Sequence, residues 1–281
     1  MIMTVDEILI NARQAGASDI HLVADEIPMM RVRGLLEPMN LPRFATSQIL
    51  DMLIQLLPQQ LREQYDEAGY CVYTYEATDS QRYRVSAYRQ QSMAALAIRI
   101  IAEGLPKADE LPVKLLDAVR AGHGLVLLTG RPGSGRSTTL ATLGQYLGNE
   151  SRVHIMTLGY TVEHFIQCRG SVVSQRTLKQ DVPHMVRAIE EAQRMDVDVL
   201  LLDGLEGREA IQEAIRAVAA GMLVIAVVSA GAPGNGMQRL LEQFALAERG
   251  DVERQMRRLS VLETYQEFVR VGDKWQMSYE C

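Results

Sequence analysis

The stretch from Gly130 to Thr139, GRPGSGRSTT, holds the residue types and spacing most able to do chemistry. An apolar run, Leu125–Leu128, precedes it, and Leu140, Leu143 and Leu147 follow at helical spacing. The stretch matches the phosphate-binding pattern G-x-x-x-x-G-K-[ST] except that Arg136 stands where the pattern has lysine. In such a loop Gly130, Gly133 and Gly135 reach backbone angles that other residues avoid, so main-chain N–H groups close around phosphate oxygens. The dipole of the following helix adds to the attraction. Ser134, Arg136, Ser137 and Thr138 complete the candidate cradle, and the Ser137 hydroxyl is the candidate Mg²⁺ ligand. Arg136 keeps the cation but exchanges a compact ammonium for a broad planar fork. Phosphate binding is therefore expected to survive weakened. Phosphoryl transfer, which needs the cation placed on the moving group, is expected to suffer more.

Elsewhere the chemistry is sparse. His21, His123, His154, His164 and His184 lack metal-ligand spacing and read as surface or packed imidazoles. Cys71, Cys168 and Cys281 form no C-x-x-C pair, which argues against a zinc site or disulfide framework and fits a reducing cytoplasm. The net charge of -6 gives no bulk attraction to nucleic acid or to an anionic membrane. The opening MIMTVDEILI carries acids and no basic segment, unlike a signal peptide. The apolar run Met222–Ala232 is too short to cross a bilayer, so no membrane insertion is expected.

The elements that must position the loop fall into two parts. Up to about Ile101, Val5, Ile8, Leu9 and Ala12 mark a helix face, and Asp19–Val23 and Met29–Arg33 read as strands. Thr46 is the expected N-cap of a helix carrying Ile49, Leu50, Leu53 and Leu57. Strands are expected at Tyr70–Tyr75, Arg82–Tyr88 and Ala94–Ile101, giving a small α+β domain with an antiparallel sheet. A linker at 102–112 follows, rich in proline and charge from Glu103 to Pro112. Beyond it, strands at Leu125–Leu128, Val153–Leu158, Val199–Leu202 and Leu223–Val228 alternate with helices at Ser137–Leu147, Met185–Arg194 and Glu209–Ala219. That alternation predicts an α/β unit with a mainly parallel sheet. Arg249–Arg258 reads as a charged helix, Gly231–Gly236 as a loop, and Gly272-Asp273 as a hairpin turn between Glu267–Val271 and Lys274–Tyr279.

The chain resembles the PilT family of type IV pilus retraction ATPases, within the larger secretion-ATPase superfamily. The strings that carry the resemblance are Ala17–Leu22, Arg82–Ala87, Gly124–Gly130, Gly133–Gly135, Ser137–Ala141, His154–Thr157, Ser174–Arg176 and Asp196–Asp198, in the family's order across nearly the whole chain. The resemblance implies a PAS-like domain over 1–101 and a RecA-like nucleotide-binding domain over 113–281. It implies ATP or ADP with Mg²⁺ at the junctions of a hexameric ring. Expected partners are further copies of the chain or a PilT-type ATPase, together with a pilus platform protein at the cytoplasmic face of the inner membrane. Arg82, Arg84 and Arg99 match positions from which family members reach a neighbour's nucleotide, and a fourth such arginine is Ser92 here.

The departures bear on catalysis. Where the family has Glu-Asp-Pro, this chain has Gly159, Tyr160 and Thr161, and only the later Glu163 remains. Where the family has Gly-Glu, it has Asp203-Gly204, which sets the acid one position early. The family's two box histidines are Met222 and Ser229 here, and the sequence ends at Cys281, before the family's C-terminal helical extension. The four positions that would supply the water, base and metal clamp, Arg136, Gly159, Gly204 and Ser229, are altered, which implies weakened or lost hydrolysis in a ring or scaffolding subunit. The alternatives are an active motor working through Asp203, Glu163 or Glu206, and a structural protein that binds no nucleotide. Restoring Lys at 136 together with Glu at 159 and 204 is expected to recover more turnover than any single change.

Overall fold

The structure, a computed structural model, describes residues 4–102, 104–272 and 274–281. Two compact units divide at Glu103/Gly104. Glu103 of the expected linker, Met1–Met3 of the opening segment and Asp273 of the expected turn lie outside the described residues.

The first unit runs α1 (Val5–Gln14), β1 (Ala17–Val23), β2 (Met29–Val32), β3 (Leu35–Pro38), α2 (Thr46–Leu56), α3 (Arg62–Ala68), β4 (Tyr70–Glu76), β5 (Arg82–Gln90) and β6 (Met93–Ile100). α1 starts at a reciprocal cap in which Glu7 N–H donates to Thr4 Oγ1 and Thr4 N–H to Glu7 Oε2. Val5, Ile8, Leu9 and Ala12 are its buried stripe. Thr46 is the first residue of α2 rather than its cap. The cap is Ala45, whose N–H donates to Gln48 Oε1. All strand pairs are antiparallel, in the order β3-β2-β1-β6-β5-β4. Ile20, Leu22, Tyr73, Tyr83, Val85, Leu96 and Ile98 bury one sheet face together with Ile49 and Leu53 of α2. The intervening residues on β5, Arg82 and Arg84, stay half-buried on the other face.

The second unit runs α4 (Val113–Arg120), β7 (Gly124–Gly130), α5 (Arg136–Glu150), β8 (His154–Gly159), β9 (Val172–Thr177), α6 (Met185–Arg194), β10 (Val199–Asp203), α7 (Arg208–Ala219), β11 (Leu223–Ser229), α8 (Gly236–Leu241), α9 (Leu246–Leu259), β12 (Ser260–Val271) and β13 (Lys274–Glu280). The sheet order is β13-β12-β7-β11-β10-β8-β9, parallel throughout except for β13. β7 is buried along its whole length, as a strand covered on both faces must be. Alternation sorts the side chains. Val126, Leu128, Leu201, Ile225 and Val227 pack on the face of α4 and α5, whereas Leu125, Leu127, Leu200, Leu202 and Val224 pack on the face of α6 and α7. Among the described residues β3, α3, α4, β9 and α8 escape the sequence periodicity. β12 is also longer than expected, because its first half pairs with β7 and its second half with β13.

Leu127 is fully buried in this second core. Leu127→Ala is expected to lower unfolding free energy by about 2–5 kcal/mol. Chemical denaturation measures it, and a loss below ~1 kcal/mol would show that the sheet core collapses around the cavity.

Candidate functional site

The site gathers at the carboxyl ends of β7, β8, β10 and β11, which stop level with one another. Asp203 pairs in register with Gly159, and Ser229 with Gly130. Ligand sites of open parallel sheets sit in this position. The loop from β7 enters α5 through Gly135, which serves as N-cap with φ +81, a conformation that favours glycine. Arg136, Ser137 and Thr138 therefore occupy the first turn of a 15-residue helix. Their N–H groups lack partners within the helix, and its dipole favours an anion there. Gly130 must lack a side chain for a different reason. A Cβ would lie 2.3 Å from the Gln266 carbonyl and 2.6 Å from Ser134 Oγ.

Arg136 and Ser229, two of the positions expected to depart from the family pattern, are in contact. Arg136 Nη1 donates to Ser229 Oγ at 3.1 Å, so the enlarged cation and the shortened box residue fit each other. Burial presses the Arg136 guanidinium below its ordinary pKa, and the Asp203 charge opposes that. It remains a cation at any physiological pH. Ser137 Oγ donates to Asp203 Oδ1 at 2.8 Å. A side chain at 159 would begin 3.2 Å from Asp203 Cβ.

Residues 160–171 cross from β8 to its parallel neighbour β9 and fold back over the site. Gln175 of β9 pins the crossover: Ile166 N–H donates to its Oε1 at 2.9 Å, and its Nε2 donates to the His164 carbonyl at 2.9 Å. Glu163 and His164 are thereby brought to a cavity of about 40 Å³ that Ser137, Thr157, Gly159 and Asp203 also line. That volume suits water or a hydrated ion. His164 Nε2 lies 3.3 Å from Thr138 Oγ1, so this half-buried imidazole packs at the site. His154, by contrast, is held by Ser174 and the Met195 carbonyl, a packing role. Glu206 lies apart, on a cavity of about 310 Å³ with Gly204 and Gln243. A neighbouring cavity of about 380 Å³ is lined by Arg131, Ser229, Asn235 and Arg239.

In the first unit, Arg84 and Arg99 pair across β5 and β6, and Arg99 pairs with Asp19 of β1. Arg99 Nε donates to Asp19 Oδ1 at 2.9 Å. Burial alone would raise the Asp19 carboxyl, but hydrogen bonds from Arg99 and Ser18 and the Arg99 charge outweigh it and hold the pKa below its usual value. Among the described residues no cluster of three or more His, Cys, Asp or Glu suits a metal, and no helix is long and apolar enough to cross a membrane.

A glycine-rich loop feeding a helix at the carboxyl end of a mainly parallel sheet, in a chain whose first unit is an antiparallel α+β domain, defines a RecA-like P-loop protein with a PAS-like first domain. The chain belongs to the family described as Type II/IV secretion system protein, which residues 85–259 match, and within it to the PilT-like ATPases. It is 30% identical over 256 residues to uncharacterized protein YggR of Escherichia coli K12, covering 90% of this chain and 78% of that protein. It is also 30% identical over 255 residues to the type IV pilus retraction ATPase PilT of Pseudomonas aeruginosa, covering 89% and 73%. A crystal structure of the pilus retraction motor PilT with bound ADP matches with a TM-score of 0.88 at 25% identity, covering 99% of this chain and 82% of that one. The ATPase DotB of Legionella pneumophila shares the fold, with a TM-score of 0.82 at 23% identity over 99% and 80% of the two chains.

Proposed function

We propose that this chain binds ATP or ADP with Mg²⁺ at Gly130–Thr138 and serves as a ring or scaffolding subunit of a PilT-like pilus or secretion motor, with hydrolysis weakened or lost. The observation that carries the reading is the site's composition: a complete glycine cradle and a Ser137–Asp203 pair, but glycine at 159 and 204. The hydroxyl and carboxylate fit Mg²⁺, which takes one or two carboxylates and completes its shell with phosphates and water. The ion would neutralise phosphate charge. Arg136, directed toward Ser229, attracts phosphate with a broad planar fork in place of a compact ammonium. The ADP in the related PilT structure supports the choice of nucleotide.

Assembly with copies of itself or with a PilT-type ATPase, in a hexameric ring at the cytoplasmic face of the inner membrane, is part of this proposal, as is contact with a pilus platform protein. Arg82 and Arg84 would face a neighbour's nucleotide, and Arg99 would hold their row through Asp19. A second reading, an active ATPase with rearranged acids, draws support from Asp203 and Glu163 lining one cavity with Ser137.

Calorimetry with Mg·ATP and phosphate release on the same preparation separate these readings. Saturable binding with release no faster than buffer is the expected result. Rapid release promotes Asp203 or Glu163 to the catalytic role, and absence of binding leaves a structural protein.

A further inference from the structure

The far side of the phosphate loop, away from α5, rests on the hairpin of β12 and β13. Gln266 of β12 is fully buried, and its Nε2 donates to the Ser134 carbonyl at 2.7 Å, in the middle of the loop. The same Nε2 lies 3.7 Å from Met277 Sδ of β13. A Cβ at Gly135 would meet Met277 Cε at 2.9 Å and Gln266 Nε2 at 3.5 Å, and one at Gly130 would meet the Gln266 carbonyl. The loop therefore touches the hairpin at both of its ends and is hydrogen-bonded to it between them. Gln266 Oε1 and Ser134 Oγ are buried with no hydrogen-bond partner among the described residues. A buried amide with one half unsatisfied is costly, and an apolar residue of similar volume would avoid that cost. Its retained half is the donor aimed at the loop.

We infer that Gln266 is a positioning residue for nucleotide binding: its amide fixes the Ser134 peptide, and with it the N–H groups that close on phosphate. The inference rests on the nucleotide reading of this loop. Phosphate is held by main-chain N–H groups whose directions are set by the peptides between them. Tilting the Ser134 peptide turns those groups away without touching Arg136, Ser137 or Asp203. The bond also works in reverse. A loop closed on phosphate holds the hairpin, so occupancy is transmitted to β13, the edge strand of the sheet.

The full chain, its Gln266→Met variant and its Gln266→Glu variant are titrated with Mg·ADP at pH 8 and pH 5.5, each beside the parent at the same pH. Methionine keeps the volume and loses the donor, so affinity is expected to fall roughly tenfold at both pH values. A buried carboxylate facing a carbonyl is worse at pH 8 but donates once protonated, so Gln266→Glu is expected to recover toward the parent at pH 5.5. Simple packing damage would not recover with acid. Hydrogen exchange of the parent needs no variant: Mg·ADP should slow the amides of β13 along with those of the loop. Variants as tight as the parent, equal losses with no acid recovery, or protection confined to the loop each overturn the inference alone. A parent that binds no Mg·ADP overturns the nucleotide reading and this inference with it.

Discussion

A chain carrying Arg136→Lys, Gly159→Glu and Gly204→Glu together is expected to lose stability and to gain no ATP turnover. Sequence comparison alone points the other way, since each change restores a residue the family uses. The backbone explains the reversal. Gly204 sits at φ +112, a region that L side chains rarely adopt, although no atom lies within 4 Å of its would-be Cβ. Glutamate there costs about 1–3 kcal/mol of strain unless the segment after β10 rebuilds. At 159 the obstacle is space: the new Cβ would lie 3.2 Å from Asp203 Cβ and 3.4 Å from the Thr161 carbonyl. The Asp203 side chain must shift by a few tenths of an ångström to admit it, which adds to the strain at 204. For a domain of this size each kcal/mol moves the melting temperature by roughly 2–4 °C, so the triple variant should melt several degrees below the parent. Its carboxylates would also be displaced from where an attacking water is oriented, so the ~10²–10⁴-fold that a placed base supplies is not regained. The control restores the family's order at both positions, Asp203→Gly with Gly204→Glu, and thereby removes the atom that crowds 159. Scanning calorimetry and phosphate release on the two sets decide the matter. A triple variant that melts with the parent and turns over ATP would show that the glycines are simple losses.

The same local geometry explains how much of the site could be read beforehand. The loop was legible because its glycines, its helix start and its buried strand are encoded within about twenty residues, each with its own signature. The parallel sheet was legible from fully apolar strands alternating with amphipathic helices. The partner of Asp203 was not. An acid set one position early suggests a carboxylate aimed away from the site. In fact Leu201 and Asp203 share the α5 face, where Ser137 lies in the first turn of the helix, and Gly204 is where the chain leaves the sheet. Periodicity in β10 contained that answer once the face covered by α5 was known. His164 and Gln266 gave no local signal, and Gln175, although inside the string Ser174–Arg176, gave none of its contact with the crossover. His164 reaches the site on a crossover between parallel strands that contains no helix, Gln175 holds that crossover from β9, and Gln266 comes from a strand 132 residues beyond its partner Ser134. Such contacts are products of tertiary packing, which propensity does not encode. The arginine face of the first unit was legible for the opposite reason: a period of two along one strand fixes which side chains share a face.

Losing the Asp203 carboxylate is expected to abolish the Mg²⁺ dependence of nucleotide binding while leaving metal-free binding largely in place. Ser137 Oγ donates to Asp203 at 2.8 Å, so one hydroxyl and one carboxylate converge at the start of α5 beside the cradle. Phosphate oxygens are held chiefly by main-chain N–H groups, and those do not depend on Asp203. The metal does, since a hydroxyl alone is a poor ligand for a hard dication, and a carboxylate both orients it and supplies charge. In Asp203→Asn the affinity for ADP measured in excess Mg²⁺ should drop roughly 10–100-fold, toward the value measured in chelator. Ser137→Ala should do the same by removing the other half of the pair. Glu163→Gln is the internal comparison. Glu163 lines the same cavity, but Asp203 is the carboxylate hydrogen-bonded to Ser137, so this variant should keep the full Mg²⁺ response. Titrations of the three variants and the parent, each with Mg²⁺ and with chelator, read the effect without reference to turnover. The Mn²⁺ resonance signal in the presence of ADP reports the metal directly. If Glu163→Gln loses the metal response and Asp203→Asn keeps it, the metal belongs to the crossover rather than to β10. Asp203 would then be left as the carboxylate available to take a proton from water, and the rearranged-acid ATPase would become the better account of this chain.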